Sequence, residues 1–247
     1  LRYRLPMPVQ PLKAMAAIVI TQKLGGSVLY GAGLAIGIIM LFLSLSGLMD
    51  WLARAIPKSV VRGIQFGLGL QLAMLALREY ALADGLPGYV LAIVGFGLTL
   101  VLLGNRRYPV ALLLVLIGFA YSFAFKIPAS ALVQSIGFGL PKVHVPQWSD
   151  ILAGFLLLAL PQIPLSLGNS ILATRQLIED LFPERRVTAR QLGLTYALMN
   201  VVNPFFGGIP TCHGSGGVAG HYVFGARTGG SVIIEGALYM LLGLFFG

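Results

Sequence analysis

Three stretches of this chain put small polar side chains inside otherwise apolar sequence. In the run Pro210-Thr211-Cys212-His213-Gly214-Ser215-Gly216-Gly217, a proline is followed by hydroxyls, an imidazole and three glycines. A helix that starts just after such a break leaves its first N–H groups unpaired and carries about half a positive charge at that end. The glycines let a ligand approach the backbone closely. Thr211, Cys212, His213, Gly214 and Ser215 are therefore candidate anion-binding residues. The competing reading is tight helix packing, which also favours small residues.

A second break, Leu5-Pro6-Met7-Pro8-Val9-Gln10-Pro11-Leu12-Lys13, offers Gln10, Pro11 and Lys13. Its prolines fix φ and push the preceding residues to extended backbone, and the composition becomes helical only after Pro11. Lys13, one turn into that helix, is either a site cation or a side chain that snorkels to the interface. In the third stretch, Gln162, Ser166, Asn169 and Ser170 follow steps of four, three and one, which is a polar stripe on an apolar helix. They either donate to an anion or hydrogen-bond to neighbouring helices.

Other chemistries fit poorly. Cys212 and His213 are adjacent, and neighbours on a helix point apart, with nothing to orient the imidazole for catalysis. No catalytic residue is expected. The single Cys excludes an intrachain disulfide and a multi-Cys metal site, and no metal or cofactor is expected. The glycine run lacks the order of a nucleotide loop. His213 is a candidate proton carrier, since imidazole titrates near neutrality. Glu235, about four residues into the last apolar block, is either a proton-coupling group or an interfacial residue.

The elements that must position these residues read as membrane spans. Of 247 residues, 57% are hydrophobic and 10% charged, against about 25% charged in soluble domains. Apolar blocks recur at Val28–Met49, Val60–Leu77, Tyr89–Leu103, Val110–Phe125, Ile151–Leu167, Leu192–Phe206 and Ser231–Phe246; a spanning helix needs about 20 mostly apolar residues. The net charge of +9 does not point to nucleic acid, because the positives sit in the joints between blocks. Arg2, Arg4, Arg54, Lys58, Arg62, Arg106, Arg107, Arg175, Arg185, Arg186, Arg190 and Arg227 fall on one face, and only Lys23, Arg78, Lys126 and Lys142 on the other. The richer face is cytoplasmic by the positive-inside rule. The alternation requires the stretches around Pro8–Ile20 and Pro210–Phe224 to cross as well, in opposite directions. Irregular backbone at membrane depth is tolerated only beside protein or a cavity. Two broken segments in inverted halves are the sequence pointer to a transporter site.

The strings Pro6–Lys13, Leu160-Pro161-Gln162-Ile163-Pro164-Leu165-Ser166-Leu167-Gly168-Asn169-Ser170, Phe206–Ala219 and Phe224–Gly229 resemble the signatures of the molybdate transporter family, a branch of the sulfate permease superfamily. The resemblance implies an all-α polytopic membrane protein. Its fold would be part of a seven-plus-seven inverted repeat, like uracil permease and sulfate permeases, with two segments built as a short strand plus a half-helix. On that template Pro6–Ile20 is the third segment, the Pro161–Ser170 helix the eighth and Thr211–Phe224 the tenth. Residues 1–50 and 148–247 are then mainly core, and 51–147 mainly gate or scaffold. The chain starts at Leu1 without Met and stops at Gly247 inside an apolar run, so it is read as an internal piece of a longer protein.

The functional expectation is secondary active transport of a tetrahedral oxyanion, molybdate first and sulfate or tungstate next, bound between two half-helix N-termini. A multi-pass position in the inner or plasma membrane, a proton as coupling ion and a homodimeric assembly complete it. The rival readings are a passive anion channel, a membrane enzyme using Cys212 and His213, and a nucleobase permease, which would be expected to place carboxylates at the substrate.

Overall fold

The computed structural model describes residues 3–12, 15, 18–19, 22–105 and 108–246. Lys13 lies outside the described residues, as do Arg2, Arg106 and Arg107.

Among the described residues, the regular elements are helices and two three-residue strands. Strand β1 (Val9–Pro11) precedes helices α1 (Gly26–Leu45), α2 (Leu48–Ala55), α3 (Lys58–Leu75), α4 (Leu86–Leu102), α5 (Val110–Phe125) and α6 (Ala129–Ser135). A long helix α7 (Trp148–Leu181) follows. Next come α8 (Ala189–Val202), β2 (Thr211–His213), α9 (Ser215–Val223) and α10 (Gly230–Phe246). The extended backbone expected of the Pro6–Pro11 run is present as β1, and the break around Pro210 is present as β2 leading into the nine-residue α9. Of the helix expected after Pro11, the described residues Met15, Ile18 and Val19 are helical.

Among the described residues, α1 and α7 are long and apolar enough to cross a bilayer, with mean hydropathies of 2.3 and 1.9 over their most apolar windows; α4, α5 and α10 are shorter apolar helices. Large apolar side chains lie open, among them Phe66 at 75%, Trp148 at 77% and Val101 at 79% exposure. Water penalises a surface of this kind and hydrocarbon does not.

Contacts divide the chain into two compact units. One comprises Met7–Phe66 and Pro141–Val218; the other comprises Leu1–Pro6, Gly67–Leu140 and Ala219–Gly247. In the first, Ile36, Met40, Leu158, Ile171, Leu192 and Tyr196 form a fully buried core from α1, α7 and α8. Glycine makes this packing feasible at one crossing: a Cβ on Gly154 of α7 would overlap the Ala32 backbone, and one on Gly31 of α1 would overlap the Asp150 carbonyl. Small residues at a crossing let helix backbones approach in this way. Helix α8 starts on a capping box, in which the Thr188 hydroxyl accepts from Gln191 N–H at 3.1 Å and the Gln191 side-chain Oε1 accepts from Thr188 N–H at 3.1 Å. In the second unit, Lys126 pairs with Asp84, and Tyr121 donates to the same carboxylate at 3.1 Å.

Helix α7 departs from α geometry in two places. It is π-helical over Phe155–Ala159 and Ser166–Ala173, on either side of an α-helical turn holding Pro161 and Pro164. Proline lacks an N–H and its ring crowds the carbonyl four residues back, and the widened turn at Phe155–Ala159, just before Pro161 and Pro164, relieves both problems. The apolar block Ile151–Leu167 and the polar stretch after it are therefore one continuous helix.

Candidate functional site

The two broken segments meet. β1 and β2 pair antiparallel in the register Val9↔His213, Gln10↔Cys212 and Pro11↔Thr211. Leu12 N–H donates to Pro210 C=O at 3.0 Å and carries the ladder one residue further. Gln10, Pro11, Thr211, Cys212 and His213 are thus neighbours, although about 200 residues separate the strands in sequence.

The ladder delivers Gln10 to the start of α9. A Cβ on Gly214 would overlap the Gln10 side-chain amide, and a Cβ on Gly217 would meet Pro8 and come 3.7 Å from the same amide nitrogen. The Gln10 amide therefore lies against the turn that opens α9, where the first N–H groups have no carbonyl four residues back to accept from them. Gly214 is needed here for space; a side chain would occupy the volume that Gln10 fills.

Helices α7 and α8 hold this junction in place. Buried Asn200 works as a two-pronged clamp on β2: Thr211 N–H donates to its Oδ1 at 2.9 Å, and its Nδ2 donates to Thr211 C=O at 2.7 Å and to Tyr196 C=O at 2.9 Å. Asn203 Nδ2 donates to the Thr211 hydroxyl at 3.1 Å. Thr174 Oγ1 lies 3.1 Å from both His213 C=O and Asn169 C=O. Ser215 Oγ donates to Asn169 Oδ1 at 2.7 Å, which ties the first residue of α9 to α7. His213 Nε2 lies 3.0 Å from Thr195 Oγ1 on α8. Cys212 and His213 sit on a strand rather than a helix; strand neighbours also point to opposite faces, so the reason against a dyad changes while the conclusion stands.

A second polar chain runs through the same unit. Gln162 Nε2 is 3.2 Å from Ser166 Oγ, which is 2.8 Å from Tyr196 Oη. The other amide atom of Gln162, a residue only 5% exposed, has no hydrogen-bond partner. The Gln162 NH2 is thus engaged by Ser166, and the atom left over is its acceptor oxygen. Ser170 is buried on the same stretch of α7.

The predicted residues therefore divide. Gln10, Pro11, Thr211, Cys212, His213, Gly214, Ser215 and Asn169 gather at the ladder and its exit into α9, whereas Gln162 belongs to the Ser166–Tyr196 chain. Glu235 belongs to the other compact unit, where its carboxylate is 3.5 Å from His221 Nε2. Sequence reasoning missed Thr174, Thr195, Tyr196, Asn200 and Asn203. The last three carried a readable signal: steps of four and three put them on one face of an apolar helix. A cavity of about 560 Å³ in the second unit is lined by Leu86, Val90, Val94, Tyr121 and Phe125 among others, and contains none of the predicted residues.

Comparison with known proteins follows the same residues. A family model described as "Molybdate transporter of MFS superfamily" matches residues 1–72 and 154–247. Molybdate transporter 1 of Arabidopsis thaliana is 37% identical over 295 residues, covering 99% of this chain and 63% of its own length. Molybdate transporter 2 of Arabidopsis thaliana is 33% identical over 297 residues, covering 100% and 63%. The chain thus spans less than two thirds of the length of these relatives. Among solved structures, the transmembrane domain of a cyanobacterium bicarbonate transporter, BicA, matches with a TM-score of 0.57 at 17% identity, covering 98% of this chain and 70% of that one. At that identity the likeness is one of fold alone.

Proposed function

Because the chain belongs to the molybdate transporter family, we propose that the protein it represents moves molybdate, or a closely related tetrahedral oxyanion, across a membrane by secondary active transport. The family is one of transporters rather than enzymes. The observation that carries the proposal is the β1–β2 ladder, which joins two interrupted segments and sets Gln10 against the opening turn of α9.

Around that junction the candidate donors are backbone amides and the neutral side chains of Gln10, Asn169, Ser170, Thr211 and Ser215, while Gln162 stands apart in the Ser166–Tyr196 chain. A dianion held this way is stabilised by aimed N–H groups and by the helix end rather than by a full countercharge. Such binding is weak enough to reverse, as a carrier requires. Neutral amides also suit an oxyanion better than a nucleobase site that relies on carboxylates. Matches to one family model in two separate stretches, each containing one broken segment, fit an inverted-repeat origin. His213 remains a candidate proton carrier at the ladder itself.

The test is uptake by the full-length protein in proteoliposomes. Preloaded molybdate should drive counterflow of labelled molybdate, with competition by tungstate and sulfate and none by uracil. Competition by uracil alone would overturn the substrate assignment. Flux that never supports accumulation under any ion gradient would make the protein a channel.

A further inference from the structure

A dianion entering a compartment with a negative interior is opposed by about 2.3 kcal/mol per charge per 100 mV. Uphill uptake therefore needs positive charge to move with it. Among the described residues, one titratable pair in an apolar helical hairpin is suited to that task. His221 closes α9, and Glu235 sits in the second turn of α10. His221 Nε2 lies 3.5 Å from Glu235 Oε2, with the side chains 23% and 26% exposed. The Oε2 atom itself is out of contact with solvent and accepts no hydrogen bond.

The pair is also oriented. His221 Nδ1 is 3.0 Å from Ser231 Oγ, which fixes the ring and turns Nε2 toward the carboxylate. Ser231 Oγ in turn reaches Thr228 C=O at 3.4 Å. Tyr239, one turn beyond Glu235 on α10, stands beside the same carboxylate. The other charged groups nearby are occupied or placed elsewhere. The Arg227 guanidinium lies 3.7 Å over the Tyr222 ring and donates to Tyr222 C=O and Ala226 C=O. Arg4 approaches Gly229 with its backbone, and its side chain is exposed. A carboxylate inside an apolar span is costly and is kept for a use.

We infer that His221 and Glu235 form the proton-binding site that couples oxyanion transport to a proton gradient. The inference rests on the transport reading above and extends it. One exchangeable proton is shared between Nε2 and Oε2. Loading the proton gives the pair one positive charge to carry across with the oxyanion, and releasing it on the other side resets the pair. Ser231 and Tyr239 hold the two groups in place and do not themselves carry the proton.

The experiment uses the full-length protein in proteoliposomes with two readouts. Molybdate counterflow without a gradient reports the substrate site, and molybdate accumulation under an imposed pH gradient reports coupling. In E235Q the ratio of accumulation to counterflow should fall at least tenfold, and the pH profile of counterflow should flatten. H221Q, which keeps the carboxylate, should give the same split and serves where E235Q fails to fold. An unchanged ratio in either variant overturns the inference, as does wild-type accumulation driven by a sodium gradient but not by a pH gradient. Absence of counterflow in the wild type would remove the transport reading itself, and with it this coupling.

Discussion

Substituting Gly214 by Ala offers a sharp test of the site, because the structure says which atom must move. Gly214 is not held in a left-handed conformation, so alanine meets no backbone strain there. The new methyl would instead overlap the Gln10 amide, the free end of a flexible side chain. Gln10 should swing away at an off-rotamer cost of about 0.5–1.5 kcal/mol. G214A should therefore fold with a modest loss of thermal stability, and should bind anion as if Gln10 were missing. A hydrogen bond to a charged group contributes about 1.5–3 kcal/mol, which is about 10- to 150-fold in affinity. Both Q10A and G214A should weaken molybdate binding within that range, read by calorimetry in detergent and by the half-saturation of counterflow. The double variant should be no weaker than either single one, because the second change removes nothing that the first left in place. Wild-type affinity in G214A, or a double-variant loss equal to the product of the two single losses, would refute the reasoning.

Two further substitutions probe the scaffold. Asn200→Ala strands the part-buried Thr211 N–H and C=O at about 1–3 kcal/mol each, so N200A should lower stability by about 2–6 kcal/mol. N203A, which loses bonds to the Thr211 hydroxyl and the Ile209 carbonyl, should cost distinctly less in the same melt, and equal costs would remove the clamp. Gly154→Val at the α1–α7 crossing should overpack the interface and destabilise by about 1–3 kcal/mol or more, whereas Gly97→Ala on α4, with nothing within 4 Å, should be neutral or slightly stabilising in the same assay.

The broken segments were legible because proline chemistry is local. Pro6, Pro8 and Pro11 exclude helix whatever surrounds them, and the Gly207–Pro210 run does the same before β2. What local rules could not supply is the pairing of the two strands. Two strands of three residues each are too short to pair on propensity. The clamp from Asn200 and the packing of α1, α7 and α8 bring them together. The Asn200–Asn203 step was present in the sequence but stood inside an apolar block, where a pair of amides reads as helix-to-helix glue. Its actual role is to replace the ladder partner that an edge strand lacks, and a carboxamide suits this because it carries a donor and an acceptor in the geometry of a peptide group.

The stripe on α7 shows why the rest stayed hidden. At 100° per residue, Gln162, Ser166 and Asn169 belong to one face, and the sequence reading placed them at one wall. The π-helical stretch Ser166–Ala173 changes the phase partway along. Thr174 reaches back five residues to Asn169 C=O rather than four, the reach of a widened turn. As a result Asn169 meets Ser215 at α9, while Gln162 and Ser166 run toward Tyr196 on α8. One stripe thereby serves two neighbours. The first widened turn has a cause in the sequence: the N–H groups that Pro161 and Pro164 lack would have reached the Leu157 and Leu160 carbonyls, so the prolines disturb the helix before them. The second, Ser166–Ala173, follows both prolines and is set by what packs on it, Tyr196 of α8 and Ser215 of α9. In P161A/P164A the helix before the prolines should therefore close its α-helical ladder while the Asn169–Ser215 bond and molybdate affinity are kept, and a fall in affinity in that variant would refute the separation of the two turns.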